Sequence, residues 1–393
     1  MGYRSLNNGH DGVALVAPVS IPYQRKTEQP ASYFIGCTLR EILQSAGLQK
    51  TECDGLLVSS FSLSPDTVAT LSEIFGMRLN WAEQVPLGGA GGVVGLRRAA
   101  RAIESGDAEI IACIGGDTFL PEQFANLLGR FSSFTIDGVT PYASGGANLP
   151  FAILTRAYMA AFGVKRESFG TFCIMQRNNS LSYRHSLFRK NLILEDYLSA
   201  RVIAEPLCLF DCVMPCAGAE GLLVMSEERA QKMALPYVLL RASGERHNGS
   251  KDISFPMQFG WGDFKDSLYS AAGFGPEQID LVQVYDDYPV MAVLQLEELG
   301  FFNQGESTNY LSSGGFNRSG RPLRVNSSGG QLSCGQAGFA GGYLGLVEGV
   351  RQLTGRALGN QIENMNKAMV SGFGMINYDR GLCTAAAILE RVQ

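Results

Sequence analysis

Short apolar runs alternate along the chain with amphipathic stretches, in the rhythm of an α/β protein. Residues 12–19 (GVALVAPV) have the length and composition of one buried strand. Residues 33–46 set Phe34, Cys37, Leu39, Ile42 and Leu43 at helical spacing; residues 53–59 predict a strand and 67–75 a helix. Residues 93–105 carry Val94, Ala99, Ala100 and Ile103 on one face, and 109–117 (EIIACIGGD) predict a buried strand. Strand–helix–strand units of this kind favour a parallel sheet with helices on both faces. After a strand at 218–225 and a short helix at 226–233, the pattern resumes. It predicts a strand at 236–243, a helix at 264–272, a strand at 280–286, a helix at 290–300, a helix at 343–356, and strands at 366–372 and 382–389.

Residues 93–117 and 343–372 occupy matching places in this order. The chain therefore reads as two duplicated α/β halves, 1–234 and 235–393. An aromatic-rich insertion at about 120–201, with helices near 151–162 and 166–182, caps or shapes a site in the first half. One doubly wound sheet with a cap is the alternative.

The 393 residues are 46% hydrophobic and 18% charged, enough for a large core. A net charge of −5 leaves no basic footprint for nucleic acid or an anionic membrane. No apolar run approaches the roughly 18–20 residues of a bilayer span, and residues 1–25 lack the apolar core of a signal peptide. Nine cysteines without a CxxC pair suit a reducing compartment. A cytoplasmic protein is expected.

Residues 325–342 (VNSSGGQLSCGQAGFAGG) hold six glycines. In a helix or strand interior each would cost about 0.5–1 kcal/mol relative to Ala, so the stretch is expected to bend and to approach a ligand or another backbone. Two further glycine turns lie at 86–92 (PLGGAGG) and 370–379 (VSGFGMINYD). At 282–301 (VQVYDDYPVMAVLQLEELGF) a strand ending in Tyr-Asp-Asp-Tyr runs into a helix, which puts polar groups at a carboxyl edge, where α/β folds place ligands.

Taken together these four segments resemble the thiolase superfamily, in particular its lipid-transfer-protein-like (SCP2-type) branch. The family's loop reads VNPSGGLxSxGHPxGAxG, and its second segment EVHDxFxxxELLxxExLG. The departures fall on the chemistry. The loop histidine corresponds to Gln336, the second histidine to Tyr285, and the C-terminal cysteine to Ser371. Residues 87–92, where thiolases present a cysteine nucleophile, contain no Cys, Ser or Thr. An acyl-enzyme at that turn is excluded on composition. A tyrosine at the position of Tyr285 resembles the steroid side-chain-degrading aldolases, where it is assigned a catalytic role.

The resemblance implies a five-layered α-β-α-β-α fold and a homodimer. It also implies a small partner with an OB-like barrel and a zinc module. No permanently bound cofactor is expected; coenzyme A enters as part of an acyl-CoA substrate. The candidate catalytic residues are Tyr285 for proton transfer, Gln336 as a carbonyl donor, Asp286, and Cys334 as an alternative nucleophile. Asp286 and Asp287 also suit a helix cap. Gly88, Gly89, Gly91, Gly335, Gly372 and Gly374 are the candidates for holding the thioester oxygen through backbone N–H groups. Cys208-x3-Cys212-x3-Cys216 lacks the fourth ligand of a structural zinc site, so no metal is expected. None of the three histidines, His10, His185 and His247, matches a catalytic position. His185, beside Arg184, Arg189 and Lys190, faces either a phosphate-bearing tail or solvent.

Three activities stay open. The first is a CoA-thioester carbon–carbon lyase of retro-aldol type, without a covalent nucleophile. The second is a non-catalytic acyl-CoA-binding subunit, and the third a Claisen-type acyltransferase using Cys334.

Overall fold

The structure is a computed structural model that describes residues 7–122, 133, 135–142, 146–250, 256–312, 315–318, 321–377 and 380–392. The first half runs through strand Val13–Gln24 (β1), helix Ala31–Ala46 (α1), strand Gly55–Ser59 (β2), helix Val68–Ile74 (α2), strand Trp81–Gln84 (β3), helix Gly91–Ser105 (α3) and strand Ile110–Asp117 (β4). Helices Asn148–Phe162 (α4) and Arg166–Ser182 (α5) precede strand Ala217–Ser226 (β5). The second half comprises Tyr237–His247 (β6), Lys265–Ala272 (α6), Leu281–Gln283 (β7), Pro289–Glu298 (α7), Arg324–Val325 (β8), Gly330–Cys334 (α8), Gly341–Leu353 (α9), Lys367–Asn377 (β9) and Arg380–Arg391 (β10). Part of the insertion expected at about 120–201 lies outside the described residues; its two helices form where the periodicity puts them.

The strands follow the order β3-β2-β4-β5-β1 and then, in the second half, β8-β7-β9-β10-β6. In each half the first three strands are parallel and the last two antiparallel. The two five-stranded units meet edge to edge through Ala14↔Leu239, Leu15↔Val238 and Val16↔Tyr237. One order and one sense of strands, used twice, is the topological form of the repeat seen in the hydrophobic pattern.

Strand residues alternate between two apolar layers, as a pleat requires. Val13, Leu15, Leu57, Ile111 and Cys113 join α3, α9 and inward residues of the second half, Leu281, Ala368, Val370, Ala385 and Ala387. Their neighbours Ala14, Val16, Leu56, Val58, Ile110 and Ala112 face α1 on the outside. In the second half Val282, Met369, Ala386 and Ile388 face α6 and α7. The layers therefore run helix, sheet, helix, sheet, helix, with α3 and α9 in the middle. Among the described residues no helix is long and apolar enough to cross a membrane.

The two central helices begin on glycines that touch. A Cβ on Gly92 would fall on the Gly342 carbonyl oxygen, and one on Gly342 would sit 2.7 Å from the Gly89 oxygen. Here glycine is required for close approach. The stretch 325–342 also departs from the loop expected for it: residues Gly330–Cys334 form a short helix, because the buried Asp286 carboxylate accepts the Gln331 N–H at 2.7 Å and caps it. The strand expected at 280–286 is regular only to Gln283. Beyond it the Val284 N–H donates to the Asn326 side-chain oxygen (2.8 Å) and the Tyr285 N–H to the Gln295 side-chain oxygen (3.1 Å). The edge strand Trp81–Gln84 has no apolar alternation and carries no signal in the sequence.

Because the atoms facing Gly92 are backbone, Gly92→Ala is expected to cost about 3 kcal/mol. Gly349, inside α9, meets only ordinary contacts at 3.6 and 3.7 Å. Gly349→Ala is expected to be neutral or stabilising by up to about 1 kcal/mol. Urea midpoints at constant slope measure both.

Candidate active site

A cavity of about 110 Å³ opens where the three glycine-rich segments converge on the end of β7. Gly88, Gly89, Tyr285, Asp287 and Gln336 line it, with Phe61, Phe151, Tyr288, Phe339 and Phe373 as its aromatic walls.

Tyr285 and Gln336, far apart in the chain, are brought together. The Gln336 amide donates to the Tyr285 phenol oxygen at 2.8 Å. The Gln336 backbone is pinned on both sides by the segment before β5, through Gln336 N–H to Met214 O (2.9 Å) and Cys216 N–H to Gln336 O (3.0 Å). Tyr285 is fixed by Gln295, whose amide bonds both the N–H and the C=O of that residue. Ser371, at the place of the family's cysteine, is a support of this clamp and donates to Gln295 at 2.6 Å.

The tyrosine ring lies across Gly89, where any side chain would meet the ring carbons and the Phe373 carbonyl. Gly374 and Gly372 pack on Leu87, Gly89 and Ala90. Gly372 and Gly374, expected in a turn, lie instead inside strand β9, paired with Ala385 and Cys383. With the helical turn at Gly88–Ala90 they form one floor beneath the phenol, and the N–H groups that open that helical turn have no partner within it. Burial pushes the Tyr285 phenol well above its ordinary range; the nearby Asp287 carboxylate raises it further and the Gln336 bond opposes the rise. The group is therefore a neutral proton donor at pH 7. Its oxygen accepts from Gln336, which leaves its own proton free for donation.

The remaining sequence candidates sit away from the cavity. Asp286 turns backward onto α8, where one carboxylate oxygen accepts the Gln331 N–H, so its place is that of a cap rather than of a group facing substrate. Cys334 is fully buried, its thiol donates to the Ser328 carbonyl (3.0 Å), and burial pushes it well above the usual thiol range. That environment is opposite to the one that activates a nucleophile. Gly335 packs on Cys216, and Gly91 on Ser59. Tyr343 lies within α9, its hydroxyl 3.2 Å from the Ser59 hydroxyl. His10 bonds Glu104 and Ser243, and neither His185 nor His247 lines the cavity. Cys212 approaches Asn148, Cys216 lies in a small apolar cluster, and among the described residues no three metal-binding side chains are grouped.

Three features of the site were not foreseen. Asp287 lines the cavity in place of Asp286, whose carboxylate is turned onto the Gln331 N–H. Tyr288 stacks on Phe151 (4.1 Å between centroids) and donates to Asn148 at 2.7 Å, which ties α4 to the site. Asp117, the charged end of β4, accepts the N–H groups of Phe61 (2.8 Å) and Ser62 (2.7 Å) and, through its second oxygen, that of Phe339 (2.7 Å). It holds two aromatic walls of the cavity. The signal in the sequence was an aspartate closing the apolar run of β4.

Residues 255–390 match the thiolase C-terminal domain-like family. The chain is homologous to the steroid side-chain-cleaving aldolase of Thermomonospora curvata, 26% identical over 93% of this chain and 96% of that protein. It is also homologous to the 17-hydroxy-3-oxo-4-pregnene-20-carboxyl-CoA lyase of Mycobacterium tuberculosis, 27% identical over 84% of this chain and 88% of that one. The solved Ltp2-ChsH2(DUF35) aldolase superimposes with a TM-score of 0.80 at 24% identity, over 97% of this chain and 98% of the other, and shows the same fold.

Burial pushes the Asp286 carboxyl from the usual 3.8 up to about 8. A folded value above the unfolded one gives a contribution to stability that is full below about 4 and is lost as the pH rises through about 8. Glu220, pushed up to about 8 by the same cause, adds a parallel fall. Asp286→Asn keeps an acceptor for the cap and is expected to remove the Asp286 share of this pH slope, leaving that of Glu220 and the other buried carboxyls. Urea midpoints between pH 5 and pH 8 give the test, and an unchanged slope contradicts the assignment.

Proposed function

We propose that the protein is a CoA-thioester carbon–carbon lyase that cleaves a branched 3-hydroxyacyl-CoA by a retro-aldol step, or runs the reverse addition. The observation that carries this reading is the Tyr285–Gln336 pair over a glycine floor, in an apolar cavity lined, among the described residues, by neither cysteine nor histidine. A retro-aldol cleavage needs no covalent nucleophile. It needs a carbonyl-oxygen site for the thioester enolate and a proton donor for the carbon released. Gln336 and the backbone N–H groups of residues 88–89 supply the first, in a setting of low dielectric where such donors act strongly. Tyr285, neutral and aimed into the cavity, supplies the second.

The names of the two curated relatives, an aldolase and a carboxyl-CoA lyase, support the same reaction class. Coenzyme A then arrives with the substrate. The matched solved structure is a complex with a DUF35 protein, which supports a comparable partner for this chain; a homodimer follows from the family resemblance. The absence of a family nucleophile and base also favours a second reading, a subunit that binds acyl-CoA without turning it over.

Deuterium exchange at the α-carbon of propionyl-CoA separates the two. The wild-type protein, with any co-encoded DUF35 protein present, is expected to exchange these protons, and Tyr285→Phe is expected to be at least about 100-fold slower. Binding of propionyl-CoA without exchange contradicts the lyase and favours the binding subunit.

A further inference from the structure

Retro-aldol cleavage has a second proton to move, and Tyr285 cannot be its first acceptor. The hydroxyl of the substrate must lose a proton as its carbon becomes a carbonyl, while the phenol already holds one. Asp287 is the carboxylate at hand. It lines the same cavity as Tyr285 and Gln336, two residues on from the tyrosine. It is 8% exposed. Backbone N–H groups address it, that of Tyr288 at 3.0 Å and its own. The charged and titratable groups around it are Asp286, Tyr285 and Tyr288 on its own segment and Cys212 from the segment before β5. Among the described residues it takes part in no ion pair with a Lys, Arg or His.

A buried carboxylate without a cation is costly, and structural needs do not explain this one. The cap of α8 is made by Asp286, and α7 begins with Pro289 behind Tyr288. What Asp287 has is access to the cavity. Burial and the Asp286 charge raise its carboxyl well above the ordinary range, which brings its proton affinity toward that of a working acid–base group.

We propose that Asp287 is the second proton-transfer group of the site, taking the substrate hydroxyl proton in the cleavage direction and returning it in the reverse. This rests on the lyase reading. In the cleavage direction the hydroxyl proton passes to the Asp287 carboxylate, and the carbonyl π bond forms at C3. The C2–C3 bond breaks, and its electron pair moves into the thioester as an enolate held by Gln336 and the glycine floor. C2 takes the phenol proton of Tyr285, and the proton on Asp287 passes to the tyrosinate. The site ends as it began, with no net gain or loss of protons. In the half-reaction with an acyl-CoA alone, the steps run backward: Asp287 accepts the phenol proton while the phenol oxygen takes the α-proton.

The test is the pH dependence of α-deuterium exchange on propionyl-CoA, for the wild type, Asp287→Asn and Asp287→Glu, each with its propionyl-CoA affinity and melting temperature. Asn keeps an acceptor for the Tyr288 N–H. Wild-type exchange is expected to fall on the acid side with a midpoint above the ordinary carboxylate range. Asp287→Asn is expected to exchange at least about 100-fold more slowly and to lose that acid limb, and Asp287→Glu to recover part of the rate with the limb displaced. A purely structural Asp287 would lower the melting temperature without moving the limb. Exchange in Asp287→Asn within tenfold of wild type, with the limb in place, overturns the assignment of Asp287 and leaves the lyase standing. Absence of exchange in the wild type overturns the lyase reading and this inference with it.

Discussion

The contact on which the rest depends is that of glycine with glycine at the start of the two central helices. Gly92 against Gly342, and Gly342 against Gly89, allow α3 and α9 to begin within backbone contact of each other. Each of these helices follows a glycine-rich turn, so their approach brings both turns to one spot. Gly372 and Gly374, inside strand β9, close on the same spot. Side chains of any size there would separate the two half-sheets and the floor of the cavity together. The core and the site are therefore one constraint.

On that floor the fold places a neutral phenol where a thiol would need activation. The cysteines nearest in sequence to the site are buried and pushed away from ionisation, Cys334 and Cys216 among them. Tyr285 sits in a pocket that holds its proton, clamped by Gln295 and addressed by Gln336. In the proposed reading such a site binds a thioester carbonyl, stabilises an enolate and gives a proton, without storing an acyl group. A lyase function is supported by the two relatives named as an aldolase and a carboxyl-CoA lyase.

Much of the fold was legible in the sequence because its strands are buried on both faces and read as unbroken apolar runs, as in β4 and β5. The edge strand Trp81–Gln84 was silent since little of it is buried, and the helix Gly330–Cys334 was hidden by its glycines until Asp286 was seen to cap it. Of the site, Tyr285, Gln336 and the glycine turns were marked by position in a family pattern. The choice between Asp286 and Asp287 was not legible: it depends on which way each side chain turns after a strand that stops at Gln283. Asp117 was missed because its partner Phe339 lies more than 200 residues away, at |i−j| of 222. Residue type and spacing identify candidates; only the fold tells which face the cavity.

The central claim is that this cavity breaks a carbon–carbon bond beside a thioester without forming a bond to the protein. The most direct measurement incubates the protein with 3-hydroxy-3-methylbutyryl-CoA, follows acetone and acetyl-CoA, and weighs the intact protein by mass spectrometry through the same time course. The account predicts the two products in equal amounts and a protein mass that never changes. An acyl adduct on the protein, on Cys334 or elsewhere, would contradict it.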